Sequence, residues 1–248
     1  MPTFKLTLAY DGTDFFGWQI QPDRRTVQAV LEGAIARATG EPSRVSGASR
    51  TDAGVHACAQ VASFRSSTRL AASVLQRAIN AHLPDDVRVL RVEAVGDDFH
   101  ALRAARSKRY RYVWCDAPVH DVFALRYAWH VRQALDAQRM HRAAQQLLGR
   151  RDFRSFQTAG SPRESTIRTV LDVRVFRPDP FPSQVWLEIE ADGFLYNMVR
   201  AIAGTLRDVG RGRRPESWLG EIVAAADRRR AGMTAPPQGL FLLAVRYA

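Results

Sequence analysis

The sequence predicts an α+β fold, a largely antiparallel mixed sheet flanked by helices. Two observations predict it. Segments of strand character come in neighbouring pairs, and between them lie a few stretches whose apolar residues recur at helical spacing. Phe4, Leu6, Leu8 and Tyr10 alternate with Lys5, Thr7 and Ala9, a half-buried strand that ends at Asp11-Gly12-Thr13. Val27, Val30, Leu31, Ala34, Ile35 and Ala38 trace a helix, and Gly40 stands just beyond it where a left-handed cap belongs. Ser73 and Gln76 have capping-box spacing at the head of a second helix through Val74, Leu75, Ala78, Ile79 and His82, which Pro84 ends.

β-Branched and aromatic residues replace the helical period over 60–64, 87–92 and 109–115, three further strands. Asp136 caps a helix through Met140, Ala143, Ala144, Leu147 and Leu148, with Gly149 at its exit. Residues 170–176 and 185–191 read as two strands, joined by a turn holding Pro178, Pro180 and Pro182, which suit a turn and not a ladder. Leu195, Met198, Val199, Ile202, Ala203, Leu206 and Val209 form one long apolar helical face closed by Gly210. Pro215 opens another helix through Val223, and 240–245 is an apolar run of strand length. The element order is roughly the same in both halves, without a residue-level repeat. The expected division is 1–117 and 118–248, with the boundary in the stretch 118–130.

With 248 residues, 46% of them hydrophobic, the chain can bury a large core without staples. Cys58 and Cys115 are too few for a disulfide framework, and neither they nor the six histidines have metal-ligand spacing, so no metal is expected. No run approaches the ~18 apolar residues of a membrane span, and the start lacks the pattern of a leader. The expectation is a cytoplasmic protein with no membrane association. Lys and Arg total 36 against 25 Asp and Glu, a net charge of +11, which attracts phosphate-rich partners. All but Lys5 and Lys108 of those cations are arginine, which forks onto phosphate and stacks on bases. In the basic clusters within 103–111, 150–154 and 211–214 about a third of the cations are expected to touch an RNA backbone, whereas Arg228-Arg229-Arg230 reads as a solvated helix end. No glycine-rich phosphate loop occurs.

The most informative stretch is Gly47-Ala48-Ser49-Arg50-Thr51-Asp52-Ala53-Gly54-Val55-His56-Ala57, where small residues surround one acid and one base. A Gly- and Ala-rich turn lets a ligand approach the backbone, and Asp52 can project from its tip. On residue types alone, Asp52 is more often a turn residue bonding its own backbone. Tyr110, Tyr112 and Trp114 share one face of a strand, with Arg109 and Arg111 on the other.

This run closely resembles the catalytic loop of the tRNA pseudouridine synthase A family. The similarity continues in order through Tyr10-Asp11-Gly12-Thr13, Phe16-Gly17-Trp18-Gln19, Asp98-Phe99-His100-Ala101, Lys108 to Tyr112, Asp152-Phe153 with Ser155-Phe156, Asn197-Met198-Val199-Arg200, and Thr234-Ala235-Pro236 with Gly239-Leu240. It spans essentially the whole chain. The resemblance implies the pseudouridine synthase fold with two similar halves, the first carrying the acid loop and the second completing a cleft. It implies isomerisation of uridine to pseudouridine at positions 38 to 40 in the anticodon arm of tRNA, by a homodimer and without a cofactor.

Carried over residue by residue, Asp52 matches the catalytic aspartate, Arg200 an arginine that pairs with it, and Tyr110 the tyrosine that stacks on the target uracil. A desolvated carboxylate needs such a guanidinium to stay ionised. Arg50 matches the arginine that props open the gap left by the flipped nucleotide, and Leu240 an apolar residue of the uracil pocket. Phe99, His100 and Arg103 lie where the family contacts RNA, although Leu102 stands where arginine is usual. Tyr112, Trp114 and His56 are expected to be structural. Two other readings differ in kind. A non-catalytic RNA-binding or tRNA-folding protein needs only the basic surface and the aromatic strand. A base-releasing hydrolase would use the same carboxylate to help water attack the sugar.

Overall fold

Alternation in the opening segment becomes strand β1 (Thr3–Tyr10), with Phe4, Leu6, Leu8 and Tyr10 buried and Lys5, Thr7 and Ala9 half-buried. Helix α1 (Val27–Thr39) starts at the cap Thr26, whose hydroxyl accepts from the Ala29 amide, and ends at left-handed Gly40. Strand β2 (Ser46–Gly47) is a short addition that the apolar pattern does not announce. Strand β3 (His56–Arg65), helix α2 (Ala72–Asn80) and strand β4 (Val87–Val95) follow. Strand β1 runs antiparallel between β3 and β4.

The expected capping box is not formed. Ala71 occupies the N-cap of α2 without a side-chain bond, and Ser73 lies inside the first turn. Gln76 instead donates to the carbonyls of Val89 and Leu90 on β4, at 3.1 and 2.8 Å. Tertiary acceptors on the neighbouring strand outcompete the local cap for that side chain.

The second part of the chain begins with β5 (Ser107–Cys115), β6 (Trp129–His130), α3 (Ala137–Ala144), β7 (Gly149–Asp152), β8 (Ile167–Phe176) and β9 (Gln184–Ala191). Helices α4 (Met198–Gly210) and α5 (Trp218–Ala225) complete it. Strand order is β7-β8-β9-β5, all antiparallel, with β6 parallel to the end of β5. The Asp136 carboxylate caps α3 as expected, accepting from the Arg139 amide. Two helix starts are later than the sequence suggests. Leu195 precedes α4, because Asn197 sits in the left-handed region at its N-cap, and α5 begins at Trp218, after a turn closed by its amide onto the Pro215 carbonyl. Arg228–Arg230 is a separate 3-10 turn capped by Asp227, not the end of a helix. Last comes β10 (Leu240–Arg246), whose Phe241 and Leu242 pair parallel with His56 and Ala57 of β3.

The structure, a computed structural model, describes residues 1–158 and 165–248. It forms two compact units, Met1–Arg106 with Phe241–Ala248, and Ser107–Leu240. In the first, Leu6 and Leu8 of β1 are fully buried, together with Leu31 and Ile35 of α1 and Leu75 and Ile79 of α2. In the second, Tyr112, Trp114, Leu187 and Ile189 are fully buried on one sheet face, together with Met140 of α3 and Ile202 and Leu206 of α4.

The other face of that sheet is charged. Arg109 stands opposite Glu190 and Arg111 opposite Glu188, while Asp172 and Arg174 on β8 stand opposite the same two glutamates. Arg109 Nη2 lies 2.7 Å from Asp172, and Arg111 Nη2 and Arg174 Nη2 lie 2.5 and 2.6 Å from Glu188. The Arg111 guanidinium also stacks over Trp186 at 3.8 Å. The basic face expected to meet RNA at Arg109 and Arg111 is therefore largely neutralised within the sheet, because cross-strand neighbours supply the counter-charge.

Burial pushes the Glu188 carboxyl up, but hydrogen bonds and charge from Arg174 and Arg111 outweigh it and hold it below the usual carboxylate range. The folded chain thus keeps Glu188 charged after the unfolded chain has taken up its proton. Urea denaturation of Glu188→Gln is expected to show a loss of about 2 kcal/mol near neutral pH. The gap to the parent protein should narrow from about pH 5 downward, as pH falls through the depressed folded value.

Candidate active site

The Asp52 loop leaves the first unit's sheet where β2 ends. The Ala48 amide still bonds the Val61 carbonyl of β3, at 2.7 Å, but Ser49 turns away. A β-turn closes from the Asp52 carbonyl to the Val55 amide at 3.2 Å, with Gly54 at φ 75° in its third position, a conformation that favours glycine. Asp52 is half-buried and Arg50 exposed, between the buried Ser49 and Thr51.

A second segment cradles this loop. The Trp18 amide donates to the Thr51 carbonyl at 3.0 Å, and the Gly54 amide to the Phe15 carbonyl at 3.3 Å. Gly17 adopts φ +85°, and a Cβ there would lie 2.7 Å from the Thr51 carbonyl oxygen. At Gly12 a Cβ would collide with the Val55 carbonyl, and at Gly47 with the Trp18 indole. The same segment is tied to α1, since the Val27 and Gln28 amides donate to the Gly17 and Trp18 carbonyls. His56, 2% exposed, accepts the Gly12 amide on Nδ1 at 3.1 Å, and its ring stacks on Phe241 with centroids 4.7 Å apart. That is the loop-ordering role its position suggests.

Phe99 packs against the buried group Ala48, Val61 and Ala101, at the root of the loop, and tilts against Tyr247 at 5.2 Å. His100 accepts the Leu102 and Arg103 amides on Nδ1, at 3.2 and 3.4 Å, and so shapes the following turn. Leu102 and Arg103 are both exposed.

In the second unit Tyr110 is 6% exposed and meets Phe194 edge-on at 5.0 Å. Arg200, half-buried on the first turn of α4, is oriented by two acceptors: Nε donates to the Ala235 carbonyl and Nη1 to Asn197 Oδ1, each at 2.8 Å. The segment 233–235 can approach α4 closely because Gly204 has no Cβ to strike the Met233 carbonyl. The next carbonyl, Pro236, accepts from Tyr112 at 2.8 Å. Burial pushes the Tyr112 phenol well up, against the lowering effect of Arg200 and Arg207, so it serves as a neutral donor. Leu240, 6% exposed, follows Gly239, where a Cβ would press on the Tyr112 ring.

A family model described as "tRNA pseudouridine synthase" matches residues 7–102 and 143–248. The chain belongs to the tRNA pseudouridine synthase family. Curated relatives called "tRNA pseudouridine synthase A" are similar along their whole length. Those of Thermoanaerobacter sp. (strain X514), Brevibacillus brevis and Moorella thermoacetica are 44%, 45% and 45% identical, covering all of this chain and all of each relative. The α+β architecture with two similar halves is that of the pseudouridine synthase family, and the paired matches fall one on each half.

Family membership explains why the flanking segments are present, and the geometry explains what they do. Tyr10 to Thr13 and Phe16 to Gln19 carry the backbone that holds the acid loop, and Thr234 to Pro236 the carbonyls that aim Arg200 and Tyr112. Sequence pattern alone does not mark Gln60, Tyr10 or Phe194 as part of this site, although a glutamine between Ala59 and Val61 within β3 is a local signal. Of the basic clusters, Arg150, Arg151, Arg213 and Arg214 are exposed, while Arg228 bonds the Gly232 carbonyl and Thr234. Among the described residues no group of three or more His, Cys, Asp or Glu side chains has the arrangement to hold a metal ion. No helix among them is long and apolar enough to cross a membrane.

Gly17→Ala is expected to cost about 1–3 kcal/mol by thermal or urea unfolding, from left-handed strain and contact with the Thr51 carbonyl, and to lower turnover with it. Gly33→Ala on α1, where nothing lies within 4 Å of an added Cβ, should instead stabilise by about 0.5–1 kcal/mol.

Proposed function

We propose that this protein converts uridine to pseudouridine in tRNA, at positions 38 to 40 of the anticodon arm, acting in the cytoplasm as a homodimer with no cofactor. The observation that carries the reading is the Asp52 loop, a half-buried carboxylate on a turn whose backbone is fixed by a second segment. Full-length relatives bearing the name tRNA pseudouridine synthase A support the substrate and the reaction.

The reaction breaks the N1–C1′ bond and forms C5–C1′. The C5 hydrogen leaves as a proton and N1 gains one, so no redox partner is required. A base stacked in a stem cannot reach a carboxylate, so the nucleotide must flip out, at a cost of a few kcal/mol. Arg50, exposed beside Asp52, is the side chain that props the vacated position. Tyr110 stacks on the uracil and takes the C5 proton late in the reaction as its own hydroxyl proton passes on to solvent, and Leu240 lines the base pocket. Phe99, His100 and Arg103 extend the RNA contact.

Asp52 begins the reaction as an ionised carboxylate, by attack on the sugar carbon, addition to the base or removal of a sugar proton. Arg200 is the cation that keeps it ionised as water is excluded. Its two fixed hydrogen bonds suit that task, because a pre-oriented guanidinium loses little freedom when it takes up an anion.

Transfer RNA tritiated at C5 of its uridines is expected to release label into water with the purified protein alone, without free uracil. Asp52→Asn should cut release by about 10³-fold or more. Arg200→Lys, which loses the planar fork, should cut it by about 10²-fold. Undiminished release by Asp52→Asn would overturn the reading, and free uracil would make the protein a base-releasing hydrolase.

A further inference from the structure

Gln60 is a fully buried carboxamide in the middle of β3, opposite Leu8 of β1. The other edge of β3 has two partners. Towards its C-terminal end Ser63 and Ala62 pair with Ser46 and Gly47 of β2, and at its start His56 and Ala57 pair with Phe241 and Leu242 of β10. Between them, at Ser49, the β2 chain would have to stay in the ladder or abandon its backbone bonds. It does neither. The Gln60 side chain accepts the Ser49 amide at 3.2 Å and donates to the Ser49 carbonyl at 2.8 Å, bonding both polar groups of that residue as a strand backbone would.

Both lone-pair directions and both N–H groups of the carboxamide are used. The oxygen also accepts the Val61 amide at 3.2 Å, and the nitrogen reaches the Tyr10 hydroxyl at 3.4 Å. Tyr10 in turn bonds Thr51 Oγ1 at 2.8 Å. One buried group thus fixes the backbone three residues before Asp52 and, through Tyr10, the side chain immediately before it.

We propose that Gln60 is a positioning residue for Asp52. Its carboxamide stands in for a strand at Ser49, and with Tyr10 it sets where the loop leaves the sheet and hence where the carboxylate lies. This rests on Asp52 being the catalytic acid. At 0% exposure Gln60 does not touch RNA, so its influence falls on the chemical step and not on tRNA affinity.

The test is single-turnover kinetics with tRNA, with tRNA affinity and melting temperature measured beside it. Gln60→Met retains length and volume but offers no bonds to Ser49, and Tyr10→Phe removes only the hydroxyl arm. A carboxylate displaced by about 1 Å loses on the order of 10² in rate, so Gln60→Met is expected to lower the rate about 100-fold and Tyr10→Phe about 10-fold. The tRNA dissociation constant should stay within about twofold, as no RNA contact is removed.

Gln60→Glu keeps the acceptor for the Ser49 amide but opposes the Ser49 carbonyl with a second acceptor, so it should not rescue the rate. If Gln60→Met does not fold, Tyr10→Phe decides. A folded Tyr10→Phe with the parent rate, or either variant losing rate only in proportion to weaker tRNA binding, overturns the inference. Asp52→Asn separates the two ideas. If it is inactive while Tyr10→Phe and Gln60→Met turn over normally, Gln60 is not a positioning residue and the catalytic reading stands; if it is active, the catalytic reading itself has failed.

Discussion

A peptide that leaves a sheet must find new partners for its amides and carbonyls, since each one buried without a bond costs on the order of 1–3 kcal/mol. The Asp52 loop meets this constraint three times over. The Gln60 carboxamide serves Ser49, the Trp18 amide serves Thr51, and the Phe15 carbonyl serves Gly54. All three partners belong to β3 or to the segment between β1 and α1, and the tethers to α1 carry that segment's position back to the helix. The acid is therefore fixed through its backbone, while its side chain keeps enough exposure to meet a ligand.

The same economy of backbone partners recurs around Arg200. Its guanidinium is steered by a carbonyl from 235 and an amide side chain from 197, and Tyr112 is anchored by the carbonyl at 236. Neither acceptor is a carboxylate, so the arginine's positive charge is oriented without being cancelled by these two bonds. Arg109 and Arg111 face glutamates across the strand and spend their charge within the sheet. A net charge of +11 thus overstates neither the number of cations nor their attraction at long range, but it says nothing about which of them is committed to structure.

That distinction marks where the sequence stops being legible. Element type followed from local periodicity: β1 alternates, α1 and α4 carry apolar stripes, and Gly40 and Asp136 cap as their chemistry requires. Failures arose where a distant group competed. Gln76 looked like half of a capping box until β4 offered it two carbonyls, and Arg109 and Arg111 looked like an RNA surface until β8 and β9 supplied acids. Short strands such as β2 and β6, two residues each, have no period to detect. The proposed site residues were legible only through resemblance, because Asp52 or Arg200 on residue type alone fits an ordinary turn or helix surface as well.

Resemblance and geometry then explain different things. The segments around Gly12, Gly17 and Pro236 are similar to family segments, yet none carries a group that does chemistry. Each is where backbone runs against backbone: Gly12 against Val55, Gly17 against Thr51, and the residues before Pro236 against Gly204. A side chain at any of these glycines would push the Asp52 and Arg200 segments off their supports, so a sequence that holds that carboxylate and that guanidinium in place is restricted at positions that touch neither. The chemistry requires a few side chains, and holding them within a fraction of an ångström requires the loops behind them.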